Sequence, residues 1–139
     1  MITHRPRRNR KSAAIRAMVQ ETQVLNSDLI FPLFLIEGKN ISSEVKSMPG
    51  IHRFSSDLLL KEIETCMNLG INSFALFPNI SESLKDKYAK ESYNHEGLYL
   101  KALREIKKYF PESCIMTDVA MDPYSSDGHA GLVENGEIL

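Results

Sequence analysis

Apolar and polar positions along this chain fall into blocks whose period changes from one block to the next. Residues 29–36 (Leu-Ile-Phe-Pro-Leu-Phe-Leu-Ile) are apolar throughout. Between turn signals, such a run predicts a strand buried on both faces, as in a parallel sheet. Pro32 cannot donate to a ladder, so a local irregularity is expected there. The period then lengthens. Leu59, Ile63, Cys66 and Met67 form a helical stripe that begins at the capping residues Ser55-Ser56-Asp57 and runs through about Leu69, with Gly70 suited to C′. Ser73-Phe-Ala-Leu-Phe-Pro78 reads as a second strand. Tyr99, Ala102, Leu103, Ile106 and Phe110 stripe a helix from about Glu96 to Phe110, which Pro111 stops. Cys114-Ile-Met-Thr117 reads as a third strand. Upstream, Ala14, Ile15, Met18 and Val19 give residues 11–22 one narrow apolar face, with Ser12 as cap. Near the end, Asn135-Gly136 between two short apolar pairs predicts a hairpin.

The order strand, helix, strand, helix, strand implies an α/β fold with a parallel sheet and right-handed crossovers. Glu37 to Gly50 reads as a loop. Residues 79–95 are polar for too long to be an ordinary connection, and such stretches are usually functional, part of an interface or disordered. Three parallel strands leave at least one open apolar edge. The expectation is therefore the front part of a larger α/β structure.

The chemistry gathers after the third strand. Residues 118–131 hold Asp118, Asp122, Asp127 and His129, the hydroxyls of Tyr124, Ser125 and Ser126, and the glycines Gly128 and Gly131. If strand alternation continues, Ile115, Thr117, Val119 and Met121 face one way, and Met116, Asp118, Ala120 and Asp122 the other. A barrel strand opening into a site would look like this. The carboxylates and the imidazole suit a divalent cation. On an extended strand, however, Asp118 and Asp122 stand roughly 13 Å apart, so sharing an ion requires a bend at Asp122-Pro123. Spacing alone also leaves open a solvated acidic loop and carboxylates in acid–base work. The chain has no Gly-x-Gly-x-x-Gly, no P-loop and no Gly-x-Ser-x-Gly elbow. Its ten lysines all fall on predicted loops or helices, where a desolvated Schiff-base lysine is not expected.

Composition adds bounds. With 42% hydrophobic and 25% charged residues in 139, one soluble globular domain is expected. No apolar run is long enough to span a membrane and no secretory signal pattern is present, so the expected compartment is the cytoplasm. Cys66 and Cys114 read as buried free thiols of a reducing compartment. The net charge of −1 hides an asymmetry. Residues 1–16 carry six basic groups and no acid, leaving 11 basic against 18 acidic groups, a net of −7. Such an arm could bind phosphates, target the chain, or reach an acidic surface on another copy. It has no aromatic residue to stack on bases, so the third reading is adopted, with neither a nucleic-acid nor a membrane partner.

One set of motifs runs from end to end: Arg5-Pro-Arg-Arg8 with Arg16, Asp28-Leu-Ile-Phe-Pro32 with Glu37-Gly38, Ser47-Met-Pro-Gly50, Leu69-Gly-Ile71, Leu76-Phe-Pro78 and Lys85-Asp86. The most specific is Asp118-Val119 followed by Asp122-Pro-Tyr124 and Gly128-His129. In these the chain resembles porphobilinogen synthase (5-aminolevulinate dehydratase). The resemblance implies the first part of a (β/α)8 TIM barrel with an N-terminal arm, residues 1–27 being the basic arm with its helix and 28–139 the first three strand/helix units. It implies condensation of two 5-aminolevulinate molecules to porphobilinogen for haem and other tetrapyrroles. It also implies a homo-oligomer, usually an octamer, embraced by the arm.

By the same resemblance, Asp118 is the strand-end catalytic carboxylate, and Asp122 and His129 are the metal residues. Zinc-dependent relatives carry cysteines where this chain has Ala120, Asp122 and Ala130. A zinc thiolate site is therefore excluded, and the cofactor implied is magnesium in the cysteine-free type. Cysteine-free relatives have aspartate at the position of Ala130. They usually show Gly-Ser at the position of Ala89-Lys90. The family's two Schiff-base lysines lie on late barrel strands, and neither motif occurs here. The chain alone is expected to be inactive, or to serve as a fragment docking on a full-length subunit.

Overall fold

The computed structural model describes Thr3 and residues 6–138; Arg5 of the basic arm and Leu139 of the terminal hairpin lie outside them. The all-apolar run forms β1 (Ile30–Ile36). The loop expected from Glu37 to Gly50 contains a short strand, β2 (Ser42–Glu44), and another, β3 (His52–Phe54), follows it. They pair antiparallel, and β3 then lies parallel to β1 at Phe34↔Arg53 and Leu35↔Phe54. Three residues are too few to carry a readable period; the neighbouring strand makes each segment a strand. Ser55, fully buried, secures this hairpin. Its Oγ accepts from the Ile41 N–H at 2.9 Å and donates to Asp57 Oδ1 at 2.6 Å.

Helix α2 (Ser56–Asn68) buries Leu59, Ile63 and Cys66. It ends as its sequence predicts. Ile71 N–H donates to the Cys66 carbonyl and Gly70 N–H to that of Met67, a Schellman closure that needs the positive φ of 87° at Gly70. Strand β4 (Ser73–Asn79), helix α3 (Leu98–Tyr109) and strand β5 (Cys114–Thr117) follow. The sheet order is β2-β3-β1-β4-β5, with β1, β4 and β5 parallel. Leu33, Leu35, Phe74 and Leu76 pack beneath Leu59, Ile63, Ala102 and Ile106.

Both helices cover the same face of the sheet. On the other face the register aligns Pro32 with Ala75 and Met116, and Phe34 with Phe77, whose rings stack at 5.6 Å. Ile30 and Met116 there are about half exposed. Burial of β1 on both faces is therefore not what the described residues show. Pro32 causes no irregularity, and the β1–β4 register runs unbroken from Ile30↔Ser73 to Ile36↔Asn79. The reason is that β3 joins β1 only at Phe34 and Leu35, leaving a side of the strand at Pro32 where an N–H is not needed. The hairpin thus covers part of one sheet edge, and β5 forms the other.

Cys66 is buried, but Cys114 is exposed, against the expectation for both. Cys114 opens an edge strand, on the face the helices leave uncovered. Helix α1 (Ala13–Met18) is shorter than predicted. Ser12 does cap it, accepting from Ile15 N–H at 3.2 Å. Its apolar face gains no cover among the described residues, with Met18 85% exposed, and a short helix without packing does not extend. The arm is tied to the body where Asn26 Nδ2 donates to the Leu69 carbonyl at 2.6 Å. The terminal hairpin forms as read, β6 (Val133–Glu134) against β7 (Glu137–Ile138), with Asn135 and Gly136 at φ 51° and 84°. Among the described residues no helix is long and apolar enough to cross a membrane.

Candidate active site at the carboxyl end of the parallel strands

β5 ends at Thr117, and the alternation expected through Asp122 ends with it. Asp118 turns the chain: its Oδ1 accepts from the Ala120 N–H at 2.9 Å. A tight turn follows, in which Tyr124 N–H and Ser125 N–H both donate to the Met121 carbonyl at 3.0 Å. Asp118 and Asp122 therefore do not share a strand face. Asp118 borders a hollow of about 240 Å³ on the uncovered face of the sheet, with Ala75, Phe77 and Met116. His129 borders a different hollow of about 210 Å³, with Lys87, Tyr88, Met121 and Ser125. Asp118, Asp122 and His129 are all exposed. Among the described residues no three His, Cys, Asp or Glu side chains converge as a metal site.

The long polar stretch is a buttress for this turn. Within residues 79–95, short 3₁₀ turns form at Glu82–Leu84 and Lys90–Tyr93. Asp86 N–H donates to the Tyr124 carbonyl at 3.2 Å, and Ser126 N–H donates to the Asp86 carbonyl at 3.1 Å. The Asp86 carboxylate accepts from Tyr88 N–H at 2.7 Å. Ala89 is buried with a left-handed φ of 51°. Left-handed backbone costs a residue with a Cβ about 1–2 kcal/mol, a cost that glycine at this position would not carry. Lys87 Nζ, 3.9 Å from Glu134, links the buttress to the terminal hairpin.

Two buried tyrosines lie behind the strand end, and their part in it was not legible in the sequence. Tyr99 and Tyr124 set their rings 6.5 Å apart at 60°. The Tyr99 hydroxyl donates to the Leu76 carbonyl at 2.8 Å. Burial pushes both phenols above their usual range. For Tyr99 the nearby Asp118 backbone opposes this and the Asp118 carboxylate adds to it. Tyr99, Glu91 and Asp118 add to it for Tyr124. Tyr99 belongs to the predicted stripe of α3; nothing in that period shows what its hydroxyl reaches.

A profile of the delta-aminolevulinic acid dehydratase family matches residues 3–139. This chain belongs to that family. Among its relatives, the delta-aminolevulinic acid dehydratase of Chlamydia pneumoniae is 46% identical over 138 residues, covering 99% of this chain and 42% of the relative. That of Bradyrhizobium diazoefficiens is 47% identical over 135 residues, covering 97% and 38%. A crystal structure of the Toxoplasma gondii delta-aminolevulinic acid dehydratase (porphobilinogen synthase), in complex with its reaction product porphobilinogen, superposes with a TM-score of 0.93 at 46% identity, covering 99% of this chain and 40% of that one. The chain thus spans about two fifths of the length of these dehydratases. Its parallel strands are the first strands of a (β/α)8 TIM barrel. In such barrels the site lies at the carboxyl ends of the strands, which is where Asp118 follows β5.

Proposed function

We propose that this chain supplies the arm (residues 1–27) and first barrel units (28–139) of a porphobilinogen synthase, which condenses two 5-aminolevulinate molecules to porphobilinogen. The observation that carries the reading is Asp118. It is an exposed carboxylate at the end of a barrel strand, over a hollow on the face opposite the helices. A carboxylate so placed can hold a substrate amino group and accept a proton from it. The carbonyl steps need a desolvated lysine. None of the ten lysines here is buried or on a strand, and half-buried Lys85 is paired with Glu82 at 2.6 Å. In the complete enzyme those lysines come from later strands, and this chain alone makes no porphobilinogen.

The enzyme is of the cysteine-free type: Ala120, Asp122 and Ala130 offer no thiolate. Asp122 offers the carboxylate oxygen that magnesium accepts, whereas the His129 imidazole is a softer donor that suits it poorly. Two donors without a carboxylate at Ala130 do not build the cation's octahedral shell, so no step is assigned to a metal. The compartment proposed is the cytoplasm, as the bacterial relatives suggest; several plant relatives are chloroplastic.

The test is a hybrid in which this chain replaces the matching segment of the Chlamydia pneumoniae relative. It is expected to form porphobilinogen, and Asp118→Ala to lower its kcat by about 100-fold or more. A folded hybrid without activity, or an Asp118→Ala hybrid as active as its parent, refutes the reading.

The exposed apolar residues of the arm favour a role in assembly as well. Met18, Val24 and Leu25 are exposed beside Arg8, Arg10, Lys11 and Arg16, while the body is acidic. The arm docks on a neighbouring subunit of a homo-oligomer, an octamer in the complete enzyme. By the same contacts the chain alone would dock on a full-length subunit without doing chemistry. Deleting residues 1–16 is expected to shrink the hybrid's assembly in light scattering and to abolish co-purification of the chain with a full-length subunit. Retention of both would remove the arm from this role.

A further inference from the structure

Past the last β4–β5 pair, Leu76↔Thr117, the two chains part and then meet again. Asp86 and Ser125 form an isolated parallel bridge. In it the Asp86 N–H donates to the Tyr124 carbonyl at 3.2 Å, and the Ser126 N–H donates to the Asp86 carbonyl at 3.1 Å. The backbone of any residue except proline could make this rung; what distinguishes Asp86 is its side chain. Its Oδ1 accepts from the Tyr88 N–H at 2.7 Å and from the Lys90 N–H at 3.4 Å, the first of these closing an Asx turn. The Ala89 N–H donates to the Asp86 carbonyl at 3.2 Å, the same oxygen that takes the Ser126 N–H. Residues 86–90 are thus wound around one aspartate, and one carbonyl joins that winding to the turn beyond β5. Lys90 Nζ stands 3.9 Å from Oδ2 in an exposed pair, which adds little. The hollow that His129 borders is lined from both segments, by Lys87, Tyr88 and Ala89 of the one and by Met121 and Ser125 of the other.

We propose that Asp86 is a positioning residue: its carboxylate oxygen winds residues 86–90, its backbone holds Tyr124 and Ser126, and it thereby keeps the two walls of the His129 hollow together. The role calls for an acceptor oxygen and not for a charge. Asparagine keeps Oδ1 as an acceptor for the Tyr88 and Lys90 N–H groups. Alanine removes it, while the unfavourable φ of 51° at Ala89 remains. The winding then loosens, and the carbonyl it shares with Ser126 moves with it. The functional meaning rests on the reading above that this turn rims the site of a porphobilinogen synthase; the structural effect does not.

Hydrogen exchange by NMR on the 139-residue chain tests the structural effect. Asp86→Ala is expected to speed exchange at the Tyr88 and Ser126 amides by about tenfold, the scale of one net hydrogen bond. Asp86→Asn should leave both within about threefold of the parent, and core amides at Leu33, Leu35 and Ile63 should stay within about threefold in either variant. An unchanged Ser126 amide in Asp86→Ala, a uniform change across the chain, or an Asp86→Asn chain as fast as Asp86→Ala overturns the proposal. If Asp86→Ala does not fold, the unmodified chain decides. Scalar couplings across the hydrogen bonds are expected from the Tyr88 amide nitrogen to the Asp86 carboxyl carbon and from the Ser126 amide nitrogen to the Asp86 carbonyl carbon; absence of either overturns the proposal equally. In the hybrid described above, Asp86→Ala should lower kcat/KM by about tenfold and Asp86→Asn should recover it to within about threefold of the parent hybrid. An alanine variant as active as its parent removes Asp86 from the reaction. A parent hybrid that forms no porphobilinogen counts against the functional assignment alone, and exchange still decides the role of Asp86.

Discussion

Phe74→Ala is expected to destabilise the chain by about 3–5 kcal/mol, and Phe77→Ala by less than about 1 kcal/mol. The two phenylalanines sit on one strand, three residues apart, and point to opposite faces. Phe74 is fully buried in the cluster with Leu33, Leu59 and Ile106. Its removal combines lost transfer energy with a cavity that rigid neighbours cannot fill. Phe77 is 37% exposed on the uncovered face and stacks on Phe34. Whole domains are stable by only about 5–15 kcal/mol, so the first substitution should remove most of the cooperative urea transition and the second should shift its midpoint slightly. Equal losses would mean that the second face is covered in solution, and that the one-sided core described above is wrong.

Raising the pH is expected to destabilise the fold through Tyr99 and Tyr124. Both phenols are pushed above the ordinary value of 10.0, Tyr124 the further, with burial as the first cause. In the unfolded chain they titrate near their usual pKa of about 10. Above that pH the unfolded state therefore loses protons that the folded state keeps, and stability falls as pH rises. The contribution is whole below about pH 10 and is lost progressively toward the folded-state values, at up to about 1.4 kcal/mol per pH unit for each phenol. Urea midpoints at about pH 9 and about pH 11 should differ in the parent far more than in the Tyr99→Phe/Tyr124→Phe double variant. A double variant with the parent's full alkaline loss would show that lysines or other groups carry it.

Much of this protein was legible residue by residue because the physics involved is local. The 3.6-residue stripes of Leu59, Ile63 and Cys66, and of Tyr99, Ala102 and Ile106, became the buried faces of α2 and α3. Gly70 and Asn135-Gly136 took the positive φ values their positions demanded. The three parallel strands and the family motifs of residues 118–129 could be read in order, and with them the family. The position of Asp118 at a strand end also followed from pattern.

What pattern could not show depends on partners distant in sequence. Ser42–Glu44 and His52–Phe54 are strands because β1 offers an edge, not because of their own composition. Pro32 is harmless because β3 stops short of it. Cys114 is exposed and Cys66 buried because helices cover one face of the sheet alone. Helix α1 is short because its apolar side has no cover among the described residues. At the site, alternation placed Asp118 and Asp122 on one face, whereas the chain turns between them. The turn lies where Tyr99, nineteen positions earlier, delivers a hydroxyl to Leu76 from a neighbouring helix. Periodicity records which side of an element is apolar. Which partner takes up each backbone N–H and carbonyl, and therefore how the chain turns after a strand has ended, is decided only when those elements meet.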